Sequence, residues 1–429
     1  MKFELPRGIR DLEADEFDEI NYIREKFIEA SRIFNFRLME PAPLEMLGTL
    51  EAKAGPSISN EIYSLIDKGG RSIGLRFDLT IGLTRFVAAR RDLRTPVKIA
   101  AFSGVWRYDE PQSGRYRYFH QCDIEIYGSR KIEADAEVIE FVYIFLKKLG
   151  LDVLIEVNHR QLIEDFIQQT LGISDQHIIT EMFRIIDKVP HRGPEILLRE
   201  YDGKINSSTL KKLLDFSSIK GDIQDVCRKG HLTDLGNWNT IAELMDALKS
   251  RDIKNARINL GIVRGLDYYS GIVFEAYDPK TNVGALVGGG RYDKLMDTFG
   301  RKELGATGAA GGVERILMAL RQHNISKRYS KFLVYVAFAS DDTKEKAIEM
   351  VSSLRNSGFI TDYDIQERPL RKQLDDASAK KVSVMVIVAP KEIGQGQVII
   401  RSMIDGTENK ENLENLKDKL NCLRTAMNH

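Results

Sequence analysis

Cysteine is scarce: Cys122, Cys227 and Cys422 are the only three in 429 residues. They lie far apart and form neither a CxxC pair nor a metal-ligand spacing. Their scarcity suits a reducing compartment. No apolar run is long enough to span a bilayer. The first residues, MKFELPRGIRDLEADEFDEI, are too charged for a signal peptide, so a soluble, cytoplasmic chain is expected. Charge of one sign is also missing. Lys+Arg and Asp+Glu are both 63, for a net charge of zero. Bulk attraction for nucleic acid is thereby unsupported, and any RNA contact must come from local clusters. There is no internal repeat and no low-complexity tract.

What is present is enough apolar residue, 43% of the chain, for two or three domains with their own cores. Ile20, Ile23, Phe27, Ala30 and Phe34 recur at helical spacing and predict an amphipathic helix over 14–34. The segment from Phe36 to Leu44 carries Pro41 and Pro43, which permits an edge or interface strand at best. From Arg71 to Tyr127, short alternating stretches broken by Gly and Pro predict antiparallel sheet. Residues 133–149 read as helix and LDVLIEV as strand. Roughly 163–250 reads mostly as helix, with Pro190 and Gly193 marking a break. Residues 257–277 and 283–288 are strand-like again. The glycine-rich run of GATGAAGGVERILMAL then leads into a helix. A helical block thus interrupts a β-rich region, as an insertion would. Beyond about residue 330, KFLVYVAF, a capped helix from Asp341 to Asn356, FITDYDI, a further helix and VSVMVIVAP predict a small α/β domain with a largely parallel sheet.

The segment 104–128, GVWRYDEPQSGRYRYFHQCDIEIYG, carries the most chemistry. Alternation along 119–127 puts Phe119, Gln121, Asp123, Glu125 and Tyr127 on one face and His120, Cys122, Ile124 and Ile126 on the other. Taken alone, acids on one strand face ordinarily mean a solvated face. The preceding strand adds Val105, Arg107 and Asp109 on one side, with Trp106 and Tyr108 opposite. A loop with Pro111, Gly114 and Arg115 joins the two. Together they present Arg107, Arg115, Gln121 and Glu125. A planar guanidinium suits phosphate, and carboxylate with amide suits a small zwitterion. GIVRGLDYYSGIVFEAY at 261–277 offers Arg264, Asp267, Tyr268 and Tyr269, or else an ordinary strand turning at Gly265. GGGRYD (288–293) and GATGAAGGVER (305–315) offer glycines followed by Arg291 and Arg315. The glycines let other groups approach the backbone. They match neither GxGxxG nor GxxxxGK[ST], which argues against a dehydrogenase and a P-loop ATPase.

In order along the chain, PRGIRD, LRFDLT (75–80), WRYDEPQSGRYRYFHQCDIEIYG, RGLDYYSGIVFE (264–275), GGGRYD and GAAGGVERI (308–316) resemble the motifs of the histidyl-tRNA synthetases, a class II aminoacyl-tRNA synthetase family. RGLDYY is the most specific of them. Asp78 and Asp109 stand where many bacterial members have Glu, which makes the chain similar to the archaeal and eukaryotic branch. The resemblance implies an α+β catalytic domain at 1–328, with an antiparallel sheet and a helical insertion at about 163–250. It also implies a C-terminal α/β anticodon-binding domain at 331–429. It places histidine among Asp78, Leu79, Thr80, Arg107, Gln121, Glu125, Arg264, Tyr268 and Tyr269. It places ATP among Arg107, Asp109, Arg115 and Arg315, with Arg264, Arg107 and Arg315 catalytic. It assigns no metal ligands, and brings Mg²⁺ as a cofactor together with ATP. The Pro41 region resembles motif 1 of the class, and with Leu38, Leu44 and Leu47 it implies a homodimer. The expected partners are tRNA(His), L-histidine and ATP, with no membrane. Glu110 occupies a loop position where bacterial members often have Arg, so acceptor-stem contacts do not carry over to it.

The competing class is a synthetase-like regulatory subunit of a histidine-biosynthesis phosphoribosyltransferase. Such relatives tend to lack both RGLDYY and the C-terminal domain, and this chain has both.

Overall fold

The structure, a computed structural model, describes residues 3–52, 59–110, 116–230, 232, 235–263, 269–325 and 332–427. The chain divides into two compact units, Met1–Arg328 and Tyr329–His429.

The first unit contains twelve strands among its described residues: β1 (Arg37–Leu38), β2 (Leu44–Met46), β3 (Ser64–Ile66), β4 (Ser72–Leu75), β5 (Val97–Trp106), β6 (Tyr118–Tyr127), β7 (Leu154–His159), β8 (Lys220–Gly221), β9 (Ala256–Asn259), β10 (Ile272–Tyr277), β11 (Ala285–Arg291) and β12 (Ala306–Gly312). Nine of them form one sheet in the order β1-β5-β6-β12-β11-β10-β7-β9-β8, and β2, β4 and β3 form a small second sheet. From β5 through β7 every pairing in the large sheet is antiparallel. The proline-bearing segment supplies β1, at the sheet edge, and β2.

The helix Ala14–Ile33 buries Ile20, Ile23, Phe27 and Ala30, as its periodicity requires. Phe27 packs edge-on against Phe141 and Phe145 of the helix Ile132–Lys148. Full burial of one such ring contributes about 1.5–3 kcal/mol. These helices share a core with Ile124 and Ile126, the apolar side of β6. The opposite side of β6 meets a helix, Thr80–Ala89, in a region that reads as sheet in the sequence. That helix buries Thr80, Ile81, Gly82, Leu83, Thr84 and Val87, nearly all round its axis. It therefore shows no amphipathic stripe to mark it.

Between β7 and β9 the chain is mostly helical, with β8 returning to the sheet edge. Its helix Gln176–Arg192 runs through Pro190. The break falls at Gly193, whose φ of 76° stops the helix, and Pro194 starts the next one. The glycine run 305–312 is itself a strand, β12, near the middle of the sheet.

In the second unit, β13 (Leu333–Phe338), β14 (Ile360–Tyr363), β15 (Val384–Val388), β16 (Gln397–Ser402) and β17 (Glu408–Asn412) form a sheet in the order β14-β13-β15-β16-β17. Its first three strands are parallel, but β15–β16 and β16–β17 are antiparallel. The sheet is therefore mixed rather than largely parallel. Glu408–Asn412 is polar and mostly exposed, so no alternation betrays it. The helix Asp341–Asn356 begins at Ser340, whose N–H donates to Thr343 Oγ1 at 3.3 Å.

Candidate active site

The polar face of β6 is buried, not solvated. Gln121, Asp123, Glu125 and Tyr127 all lie below 7% exposure. Burying carboxylates costs heavily unless something pairs with them. Glu125 is the best partnered. The Thr80 hydroxyl donates to its Oε1 at 2.7 Å, and the Tyr292 hydroxyl donates to its Oε2. Burial nonetheless pushes Glu125 up to about 8, helped by the charge of Asp78 and opposed by the two hydroxyls. Room for the carboxylate comes from Gly308 on β12, where a Cβ would stand 1.5 Å from Oε2. That is one reason the central strand is so rich in glycine.

Asp78 accepts the Ile81 N–H at 3.1 Å through Oδ1, while its Oδ2 is buried with no partner. Desolvation raises it to about 6, against the pull of that N–H and of Arg107. Asp123 makes no hydrogen bond of normal geometry. Burial holds it well above the usual carboxylate range, with Glu125 and Asp78 adding to the effect and Arg107 and the Leu79 N–H opposing it. Gln121 Oε1 is likewise buried and unpartnered. Arg107, just past the end of β5, donates through Nε to Phe77 O at 2.9 Å and lies over the Phe119 ring. Asp78, Thr80, Asp123, Glu125, Gln121 and Arg107 thus come from one strand pair and one helix start. Among the described residues this is a buried cluster short of cations and of donors. An ammonium group and ring N–H groups are what it can accept.

The remaining candidates fall in different places. Leu79 is buried in an apolar cluster with Leu83, Val97 and Ile99, so only its backbone is available to a ligand. Tyr269 is buried and stands edge-on to Tyr292 at 6.5 Å between ring centroids. Asp109 is half-buried and accepts the Glu110 N–H at 2.8 Å. Glu110 pairs with Arg7 at 3.1 Å. Arg315 is exposed, in the first turn of the helix Val313–Gln322, and donates to Ala285 O at 3.2 Å. Arg115, Arg264 and Tyr268 lie outside the described residues. Arg291, a candidate from its glycine run, serves structure instead. It pairs with buried Asp135 at 2.6 Å and donates to Ser129 O and Lys131 O.

Residues 8–316 match the histidyl-tRNA synthetase family, and residues 333–423 match an anticodon binding domain. The chain belongs to the histidyl-tRNA synthetase family. The histidine–tRNA ligase of Pyrococcus furiosus is 32% identical over 430 residues, which is 98% of this chain and 99% of the relative. That of Thermococcus kodakarensis is 34% identical over 417 residues, 94% of each chain. The crystal structure of histidyl-tRNA synthetase from Nostoc sp. PCC 7120 has the same fold, with a TM-score of 0.83, 23% identity and coverage of 98% of this chain and 99% of the other. A Bacillus halodurans structure, described as an ATP phosphoribosyltransferase regulatory subunit/histidyl-tRNA synthetase, shares the fold at a TM-score of 0.73, with 22% identity and coverage of 91% and 99%.

Two residues that touch this candidate site in the histidyl-tRNA synthetase chain were not among those the sequence pointed to. Tyr292, next to Arg291 in GGGRYD, is the group that reaches Glu125. The glycines drew attention to the arginine, although a tyrosine following a flat glycine strand was the usable signal. Glu314 was the other. Its carboxylate accepts the His120 N–H at 3.0 Å and meets His120 Nδ1 at 3.1 Å. It ties the helix that carries Arg315 to β6.

Proposed function

We propose that the chain is a histidine–tRNA ligase that activates L-histidine with ATP and transfers it to the 3′-terminal adenosine of tRNA(His). The observation that carries this reading is the buried floor of Asp78, Asp123 and Glu125, with orphaned oxygens on Asp78, Asp123 and Gln121. A histidine α-ammonium answers the excess of carboxylate, and an imidazole N–H answers Glu125. In the first step a histidine carboxylate oxygen attacks the α-phosphorus and pyrophosphate leaves, giving histidyl-adenylate. In the second the terminal adenosine hydroxyl attacks the activated carbonyl and AMP leaves. Chemistry of this kind depends on positioning and neutralised charge rather than on a covalent enzyme intermediate.

Arg107 is placed beside the carboxylates to orient histidine and the α-phosphate. Arg264 is assigned to the meeting point of the two anions, Tyr268 and Tyr269 to the histidine side, and Asp109, Arg115 and Arg315 to ATP. Among the described residues no group of three or more His, Cys, Asp or Glu side chains is arranged to hold a metal ion. Mg²⁺ is proposed to enter together with the ATP phosphates, and no step is assigned to it. Residues 1–328 take the catalytic role and residues 331–429 the anticodon. No helix of the described residues is long and apolar enough to cross a membrane; the cytoplasm is the proposed location. Leu38, Leu44, Met46, Leu65 and Ile66 are all exposed around the Pro41 segment, a surface suited to an isologous dimer. Leu47 instead packs against the core of its own chain. ATP–pyrophosphate exchange that depends on histidine tests the proposal. A regulatory subunit gives no exchange, and a plain ATPase gives hydrolysis without it.

A further inference from the structure

Strand β12 stops where a helix begins, and the junction has no ordinary cap. The ladder between β12 and β6 ends at the pair Gly312–Gln121. Gly312 is then the N-cap of the helix Val313–Gln322, with no side chain to satisfy the first turn. One residue before Gln121 on β6, the His120 N–H turns to that helix instead. Both Glu314 oxygens accept it at 3.0 Å. Glu314 Oε1 also meets His120 Nδ1 at 3.1 Å. A carboxylate offers only lone pairs, so Nδ1 is the donor. Glu314 therefore takes both N–H groups of one residue of β6.

Packing alone does not ask for these groups. The His120 ring stands against Phe102 and Tyr118, at 6.2 and 5.4 Å between centroids, where phenylalanine would pack as well. Glu314 is 6% exposed and His120 8%, so each has given up water for the other. Hydrogen bonds to an ionised acceptor are the strong, directional ones. The helix N-terminus also favours an acid in its first turn. The next residue is Arg315, exposed, with Nη1 donating to Ala285 O at 3.2 Å. On the strand side, His120 is followed by Gln121, which lies on the carboxylate face of β6.

We propose that Glu314 and His120 are positioning residues for ATP. Their clasp sets where the helix leaves the sheet, and thereby aims Arg315 at the ATP phosphates. The proposal rests on the reading of Arg315 as an ATP-binding group. The reaction joins a carboxylate held from β6 to a phosphate held from the helix. Those two elements must therefore keep a fixed spacing, and the clasp spans it between residues 194 positions apart in sequence. A shift of about 1 Å in such a group can cost on the order of 10²-fold in rate. Arg315 is on the surface and cannot fix its own place by burial, so the buried residue before it does so.

The test uses the full-length His120→Phe, His120→Asn and Glu314→Gln variants, with Arg315→Ala alone and combined with Glu314→Gln. Phenylalanine keeps the ring and loses the Nδ1 donor. Asparagine loses the ring and keeps an amide N–H near the place of Nδ1. ATP and histidine parameters for pyrophosphate exchange are measured together with Tm. In His120→Phe and Glu314→Gln the ATP KM is expected to rise roughly tenfold. The histidine KM should stay close to the parent value, and Tm should fall by only a few degrees. His120→Asn should recover most of the ATP loss. Glu314→Gln should add little to Arg315→Ala, because it acts through that arginine. Glu314→Gln carries the test if His120→Phe folds poorly. ATP parameters that follow the ring, with His120→Phe like the parent and His120→Asn impaired, overturn the proposal. So do additive effects in the double variant. So does a joint loss of ATP use, histidine use and Tm, which would mark a purely structural clasp. If Arg315→Ala impairs ATP use while the clasp variants do not, the clasp alone fails. If Arg315→Ala leaves ATP use intact, the ATP reading of Arg315 fails as well.

Discussion

Truncating Glu125 to alanine removes the proposed acceptor of the imidazole N–H while leaving Arg107 and the helix Val313–Gln322 untouched. The carboxylate is 1% exposed and already holds hydroxyl donors on both oxygens. A ligand N–H bonded to it makes a charge-assisted bond away from water. With the acceptor gone, that N–H is buried unpaired, at a cost of about 3–5 kcal/mol. Steady-state pyrophosphate exchange should then show kcat/KM for histidine lower by ~10²–10⁴, with the ATP KM nearly unchanged. A second readout follows from the raised pKa. The folded chain holds the Glu125 proton up to about 8, against an ordinary value of 4.5. A raised carboxylate contributes stability that is full below the unfolded value and is lost as pH rises through the folded one. Parent stability should therefore decline across that window, and the Glu125→Ala chain should decline less. Histidine parameters equal to the parent's would refute the assignment of this residue.

Glu125 near 8 and Asp78 near 6 also imply proton release, because a bound ammonium favours their charged forms. Calorimetry in buffers of different ionisation enthalpy should find about one proton released per histidine at neutral pH, and uptake would contradict this. Arg264→Ala should give a folded protein with near-normal ATP affinity and a single-turnover adenylation rate lower by ~10²–10³, while a rate near the parent's removes its catalytic role. A chain ending near residue 328 should keep part of its histidine-dependent exchange and lose efficient charging, whereas equal charging by both chains contradicts an anticodon role for residues 331–429. Sedimentation at micromolar concentration should show a dimer for the parent and a monomer for the Leu38→Asp, Leu44→Asp double variant; a monomeric parent refutes the interface.

The alternation of 119–127 placed Gln121, Asp123, Glu125 and Tyr127 on one face, and the structure keeps them there. Whether that face met water was not written in the strand. It depends on the helix Thr80–Ala89, which is buried on most sides and so lacks a helical stripe. The glycine run 305–312 was read only as leading into a helix, because local propensity penalises glycine in strands. It is a strand paired with β6, and its glycine at 308 clears Glu125, 183 positions away, which no local pattern could show. Pro190 and Gly193 together marked a break, and it falls at Gly193, the one of the two that takes a positive φ. The roles of Arg115, Arg264 and Tyr268 were legible only through the motifs that contain them.

Charging tests histidine–tRNA ligase activity directly. The full-length chain, ATP and a total tRNA pool from an archaeal relative's host should be incubated with each amino acid in turn, and the acylated tRNA identified. Histidine alone should be attached, and the acceptor should be tRNA(His). No acylation with histidine, or acylation with another amino acid in its place, would contradict it.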